Sequence, residues 1–181
     1  MFTTIRNKTL SAAVISMILA APASFAETAG EYIDDATIAT KTKAALVDND
    51  TLSGLDINVE VSKGIVQLSG FVDTDAKEAA ALAAAVKVEG AGKVLDAIVV
   101  LPGSRSMGEA VDDTTIPAKL KTELANIEGV SNAVAINTEV RQGHVLLAGF
   151  VEDASVKTAA GKAAAGISGV EKVHNYIAVQ P

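Results

Sequence analysis

Ile57-Asn58-Val59-Glu60-Val61-Ser62-Lys63-Gly64-Ile65-Val66-Gln67-Leu68-Ser69-Gly70-Phe71-Val72 reads as a β-hairpin. Leu55, Ile57, Val59 and Val61 alternate with Asp56, Asn58 and Glu60, the period of a strand buried on one face. Lys63-Gly64 then turns the chain, with Gly64 free to take positive φ. A two-residue turn there predicts a register. Val61 falls opposite Val66, Val59 opposite Leu68 and Ile57 opposite Gly70 on the apolar side. Glu60 faces Gln67 and Asn58 faces Ser69 on the wet side. Alternation and turn chemistry agree, and a slip of one residue would exchange the two faces.

The same hairpin occurs again. Ile136-Asn137-Thr138-Glu139-Val140, Gly143, Val145 and Gly149-Phe150-Val151 repeat the first copy at an offset of 79. Gly90, Lys93, Val94, Ile98 and Val100 recur as Gly169, Lys172, Val173, Ile177 and Val179. Upstream the offset is 78: Asp34-Asp35, Lys41, Lys43 and Leu46 become Asp112-Asp113, Lys119, Lys121 and Leu124. The second turn, at Gln142-Gly143, predicts Val140 opposite Val145, Thr138 opposite Leu147 and Ile136 opposite Gly149. The chain therefore holds two domains, 34–102 and 112–181, joined by a Gly/Ser-containing linker over 103–111.

Around each hairpin the pattern is helical before and helix-then-strand after. Asp34 or Asp35 can cap a helix that places Ile38, Thr42, Ala45 and Leu46 on one face. Ile116, Leu120 and Leu124 do the same in the second copy, with Pro117 in the first turn, where its missing N–H costs nothing. Asp75-x-x-Glu78 suggests a capping box, followed by a small-residue stripe of Ala76, Ala79, Ala80, Ala83 and Val86 that Gly90 or Gly92 ends. A last strand runs over Val94–Val100 and again over Val173–Val179. The fold class expected is α+β: two tandem αββαβ domains, each a three-stranded mixed sheet with two helices on one face and the last strand parallel to the second.

Composition narrows the chemistry. Of 181 residues 22 are acidic and 15 basic; cysteine is absent and histidine occurs twice. No thiol nucleophile, disulfide or thiolate metal site is available. A net charge of −7 argues against nucleic-acid binding, which needs a basic field. The hydrophobic fraction of 49% includes 33 alanines, so the cores are thin. Residues 1–26 read as a secretory leader: Arg6 and Lys8, an apolar run from Leu10 to Ala21, then Ser24-Phe25-Ala26 as the cleavage site. Residues 27–33 form a short extension, and export without disulfides suggests a bacterial periplasm.

The αββαβ unit, with its Asp-Asp start, its hairpin ending in Gly-Phe-Val and its closing Gly-x-x-Lys-Val strand, resembles the BON domain. Ile38–Leu46, Val66–Val72 and Gly90–Val94 carry the likeness, which covers nearly everything after the leader. Such patterns specify fold better than activity. The resemblance implies a non-enzymatic role in envelope or osmotic stress. It also implies phospholipid membrane surfaces or exported outer-membrane or secreted client proteins as partners, with no cofactor and no small-molecule substrate. A structural module whose two domains pack on each other or on a second chain is the alternative.

The candidate lipid- or partner-binding residues are Phe71, Phe150, Lys119, Lys121, Arg141 and Lys172. The register sends Phe71 and Phe150 to the outward face, opposite Asp56 and Ala135, where an aromatic is a docking point. The other reading makes Gly70 and Gly149 bulges that turn each Phe into the core. Lys119, Lys121, Arg141 and Lys172 make a basic patch if they converge, and ordinary solvated positions if they do not. His144 and His174 are half a zinc site at most, and read as ordinary strand residues. The acidic pairs lack the twelve-residue calcium-loop pattern, and no phosphate loop or nucleophile elbow is present.

Overall fold

The computed structural model describes residues 24–52, 57–103, 107–128, 130 and 136–180. Most of the expected leader, and Leu55, Asp56 and Ala135, lie outside them. In the first repeat, α1 (Ser24–Val47) leads through a short 3-10 turn (Asp50–Leu52) to β1 (Asn58–Ser62) and β2 (Ile65–Val72). Helix α2 (Asp75–Ala85) and β3 (Lys93–Val100) complete it. The second repeat comprises α3 (Met107–Ala125), β4 (Asn137–Arg141), β5 (His144–Ala148), β6 (Phe150–Val151), α4 (Ala154–Ala165), β7 (Lys172–Asn175) and β8 (Ala178–Val179).

Both sheets have the mixed order expected. β2 lies between β1 and β3, antiparallel to the first and parallel to the second; β5 lies likewise between β4 and β7. Val61↔Val66, Val59↔Leu68, Glu60↔Gln67 and Asn58↔Ser69 pair as the sequence predicts, as do Val140↔Val145 and Thr138↔Leu147. Lys63 and Gly64 take φ 51° and 73°, Gln142 and Gly143 take 52° and 72°, so both turns have two left-handed central residues. That twist matches the strands they join. Ile57 and Ile136 fall just outside the ladders.

The helices of each repeat share one face of its sheet. Ile38, Leu46, Val59, Val66, Leu68, Val72, Ala81, Ala85 and Ile98 form one core. Ile116, Leu120, Leu124, Val140, Val145, Leu147, Val156, Ala160 and Ile177 form the other. Thr42 is fully buried among the apolar residues because its hydroxyl donates to the Ile38 carbonyl at 2.8 Å.

The element ends depart from the sequence reading. Asp34 and Asp35 lie inside α1, which starts at Ser24, so neither caps it. The Asp35 carboxylate instead accepts from the backbone N–H of Lys63 and of Gly64, both at 2.7 Å, clamping the hairpin turn. Helix α3 begins at Met107, within the expected linker, so Asp112-Asp113 and Pro117 are interior. Pro117 there removes one helical N–H, and the carbonyl four residues earlier loses its donor. Thr74, not Asp75, caps α2, its hydroxyl accepting from the Lys77 N–H. That helix closes at Ala85, before either glycine, and Gly90 takes φ 93° in the turn beyond. The buried stripe of α2 is Ala81 and Ala85, continued by Val88, while Ala76, Ala79, Ala83 and Val86 face outward. A helix with alanine on every side offers no polar contrast to mark its inner face.

Candidate functional site: the seam between the repeats and the basic residues around it

The outer faces of the two sheets, expected to be wet, cover each other. Gln67 and Ser69, on the face opposite the helices, are each only 2% exposed. The Gln67 amide reaches into the second repeat: Nε2 donates to the Tyr176 carbonyl at 2.7 Å, and Oε1 accepts from the Gly149 N–H at 2.6 Å. Phe71 and Val99 form a small apolar cluster with Leu146 of the second repeat, and Leu101 packs against it. Asn58 Nδ2 donates to Glu139 Oε1, and Asn137 donates to the Glu60 carboxyl. Ser62 Oγ meets Gln180 Oε1 at 2.7 Å.

These contacts obey an approximate two-fold relation. Asn58 and Asn137 occupy the same position in their repeats, as do Glu60 and Glu139, and each Asn serves the other repeat's Glu. Gln67 and Leu146 are also equivalent: the first reaches Gly149 and Tyr176, the second reaches Phe71 and Val99. Ser62 and Arg141 are equivalent too, meeting Gln180 and the Gly103 carbonyl, the chain just beyond the last strand of the opposite repeat. This is the isologous pattern of a symmetric dimer, formed here within one chain.

Phe71 therefore fits neither expectation. Pairing continues through Gly70↔Ile98 and Phe71↔Val99, so no bulge shifts the register, and the ring stays on the outer face. It is 7% exposed there because the second repeat lies on it, so it is not a free docking aromatic. Phe150 pairs with Ala178, is half-buried, and likewise does not turn into its own core. One sequence signal for this seam was available. Val145-Leu146-Leu147-Ala148 and Ala97-Ile98-Val99-Val100-Leu101 are continuous apolar runs, the mark of strands buried on both faces.

The basic candidates divide. Arg141↔His144 and His144↔Lys172 are cross-strand neighbours, so Arg141 and Lys172 flank His144 on the outer face. Arg141 donates from a guanidinium nitrogen to the Gly103 carbonyl at 2.9 Å, and its charge helps hold the Asp73 carboxyl low, after the larger effect of the Lys77 hydrogen bond. Lys119 and Lys121 are exposed on α3, on the other side of that sheet. The single four-residue patch is not assembled. His144 Nδ1 and His174 Nε2 lie 3.1 Å apart with stacked rings, and His174 meets Phe71 edge-on. Burial first, then Lys172 and His144, lower the His174 pKa and favour its neutral form.

Two perturbed carboxyls were not anticipated. Burial pushes Glu60 up to about 7, against the weaker pull of Asn137 and Lys43, and its Oε2 is buried without a partner. Glu78 is raised by desolvation and by its hydrogen bond and charge contact with Asp96. The equivalent pair in the second repeat is Lys157 and Asn175, where the Asn amide donates to the Lys157 carbonyl. Among the described residues no three His, Cys, Asp or Glu side chains cluster for a metal, and no helix is long and apolar enough to cross a membrane. A groove of about 430 Å³ lies beside the first turn, lined by Asp34, Ile38, Lys41, Lys63 and Glu89. Lys41 and Glu89 form an ion pair there at 3.4 Å.

Comparison with known families accounts for both copies of the αββαβ unit. The BON domain matches residues 34–102 and again residues 112–181. The chain belongs to the BON-domain family. One BON relative, the osmotically inducible protein Y of Escherichia coli K12, is 32% identical over 147 residues, covering 81% of this chain and 73% of that protein. Another, the outer membrane lipoprotein DolP of Haemophilus influenzae, is 34% identical over 99 residues, 52% of this chain and 48% of that one. Among solved structures, the C-terminal domain of CdsD, a structural protein of the type III secretion system of Chlamydia trachomatis, aligns with 81% of this chain and 67% of its own. That alignment has 17% identity and a TM-score of 0.30. The tandem BON arrangement is thus the chain's own, read from its repeats.

Proposed function

We propose that this protein is a non-enzymatic periplasmic protein of envelope or osmotic stress that engages phospholipid surfaces or exported client proteins. The observation that carries the reading is the pair of BON domains, 34–102 and 112–181, shared with an osmotically inducible protein over most of both chains. The relation to an outer membrane lipoprotein adds support for the envelope and for contact with membranes. The surface offered to an anionic headgroup is the exposed side of α3, where Lys119 and Lys121 are solvated. A lysine near an anionic surface contributes about 1 kcal/mol, while the net charge of −7 opposes approach, so binding should be weak and salt-sensitive.

Vesicle co-sedimentation with anionic and neutral lipid, beside an aggregation-suppression assay, tests this reading. The expected result is binding to anionic vesicles that falls about tenfold or more in Lys119→Glu/Lys121→Glu. If the protein neither sediments with vesicles nor suppresses aggregation above a neutral control, the reading is lost. The seam favours a second reading, in which the docking of the two repeats on each other is itself the working structure.

A further inference from the structure

The seam contains a carboxyl whose charge state the surrounding chemistry does not support. Glu60 lies on β1, facing the second repeat, with Asn137 donating to its carboxyl and its Oε2 buried without a partner. From β4, Glu139 takes part in the reciprocal contact with Asn58, so a second carboxyl occupies the same seam. From β2 the facing neighbour is Gln67, uncharged and already committed at both ends of its amide. From α1, Lys43 is the cation that acts on Glu60, and it is itself exposed. His144 and His174 lie on β5 and β7 of the opposing sheet, and the lowered His174 pKa favours a neutral ring. Arg141 is engaged with the Gly103 carbonyl and Asp73.

We propose that the seam is a proton-sensitive latch, closed while Glu60 carries its proton and loosened when that proton leaves. Ionisation places a charge, with one oxygen unpaired, in a seam that holds a second carboxyl, and the exposed Lys43 of α1 is the cation that pulls on it. Separating the repeats rehydrates that charge and uncovers Phe71, Val99, Leu101 and Leu146. Below the ordinary 4.5 both open and closed forms are protonated, and the seam carries no penalty. Between 4.5 and about 7 the open form ionises while the closed form keeps its proton, so the seam weakens as pH rises. Above about 7 the full penalty stands.

The chain has no cysteine, so Ala83→Cys and Thr158→Cys, on exposed positions of α2 and α4, report the separation of the repeats through a pair of spin labels. The expected result is one narrow distance distribution at pH 5.5 and a second, longer population at pH 8.5, with the open-to-closed ratio rising at least tenfold. Glu60→Gln keeps the shape and removes the titration, and should give the narrow distribution at both pH values. Identical distributions for the unsubstituted seam at the two pH values, or the same opening in Glu60→Gln, would overturn the latch. A direct carboxyl carbon titration of Glu60 in the unsubstituted chain supplies an independent check should that variant fold poorly. A midpoint near 7 supports the latch, and one in the ordinary carboxylate range overturns it.

Discussion

Asp35 shows how a side chain serves a different end from the one its position suggests. Acidic residues before an apolar-periodic run signal a helix start, yet this carboxylate lies within a helix and holds two amides of a turn 28 and 29 residues later. The turn it clamps uses left-handed backbone at both central residues in each repeat, and only the second of each pair is glycine. A Cβ at Gly64 would meet nothing nearer than the Gly90 carbonyl at 3.9 Å. At Gly143 it would meet the Glu171 side chain at 2.9 Å and the Gly169 carbonyl at 3.2 Å. Gly64→Ala should therefore cost only the left-handed penalty, about 1–2 kcal/mol. Gly143→Ala adds crowding against backbone and should cost more. Urea midpoints of the two variants check the order; equal losses would contradict it.

Among the elements, α2 and α4 are the least legible. Their buried faces are alanine apart from Val156 of α4. In α4 Val156 marks the buried side, but in α2 the buried stripe, Ala81 and Ala85, is flanked by alanines that face water. The contrast predicts opposite responses to one substitution. Ala81→Leu forces added methylenes into a filled interface and should destabilise by about 1–3 kcal/mol. Ala83→Leu, on the exposed side, should be near neutral, within about 0.5 kcal/mol. Thermal denaturation distinguishes them, and comparable losses would place the helix in another rotation. The hairpins are the opposite case: alternation and turn residues act over a few positions, so their register could be read to the residue.

For the whole molecule, the two BON domains form one layered body, helices outside and sheets facing inward on each other. Gln67 is central to that arrangement, since its amide satisfies an N–H and a carbonyl of the second repeat. Gln67→Ala strands both groups in the seam and should cost about 2–6 kcal/mol, at 1–3 kcal/mol for each buried group left unpaired. The loss should appear as earlier hydrogen exchange at Gly149 together with a lower unfolding midpoint. Unchanged protection at Gly149 would mean that the sheets are not docked in solution. The polar character of the seam also bears on binding. It leaves Phe71 covered, so a partner that uses the apolar residues must first separate the repeats, whereas one that uses Lys119 and Lys121 meets them already exposed.

The duplication and the hairpin registers were set by the sequence alone, because period-two alternation and left-handed turns are local constraints that recur in both copies. The fate of the outer faces was decided only in three dimensions. Asn58, Glu60, Gln67 and Ser69 have the pattern of a solvated surface, and a polar residue in a strand does not reveal whether water or another amide will meet it. Burying them required a second sheet with complementary groups at matching places, which the repeat itself supplied. Thus one unit, written twice, provides both the fold and the partner that covers it.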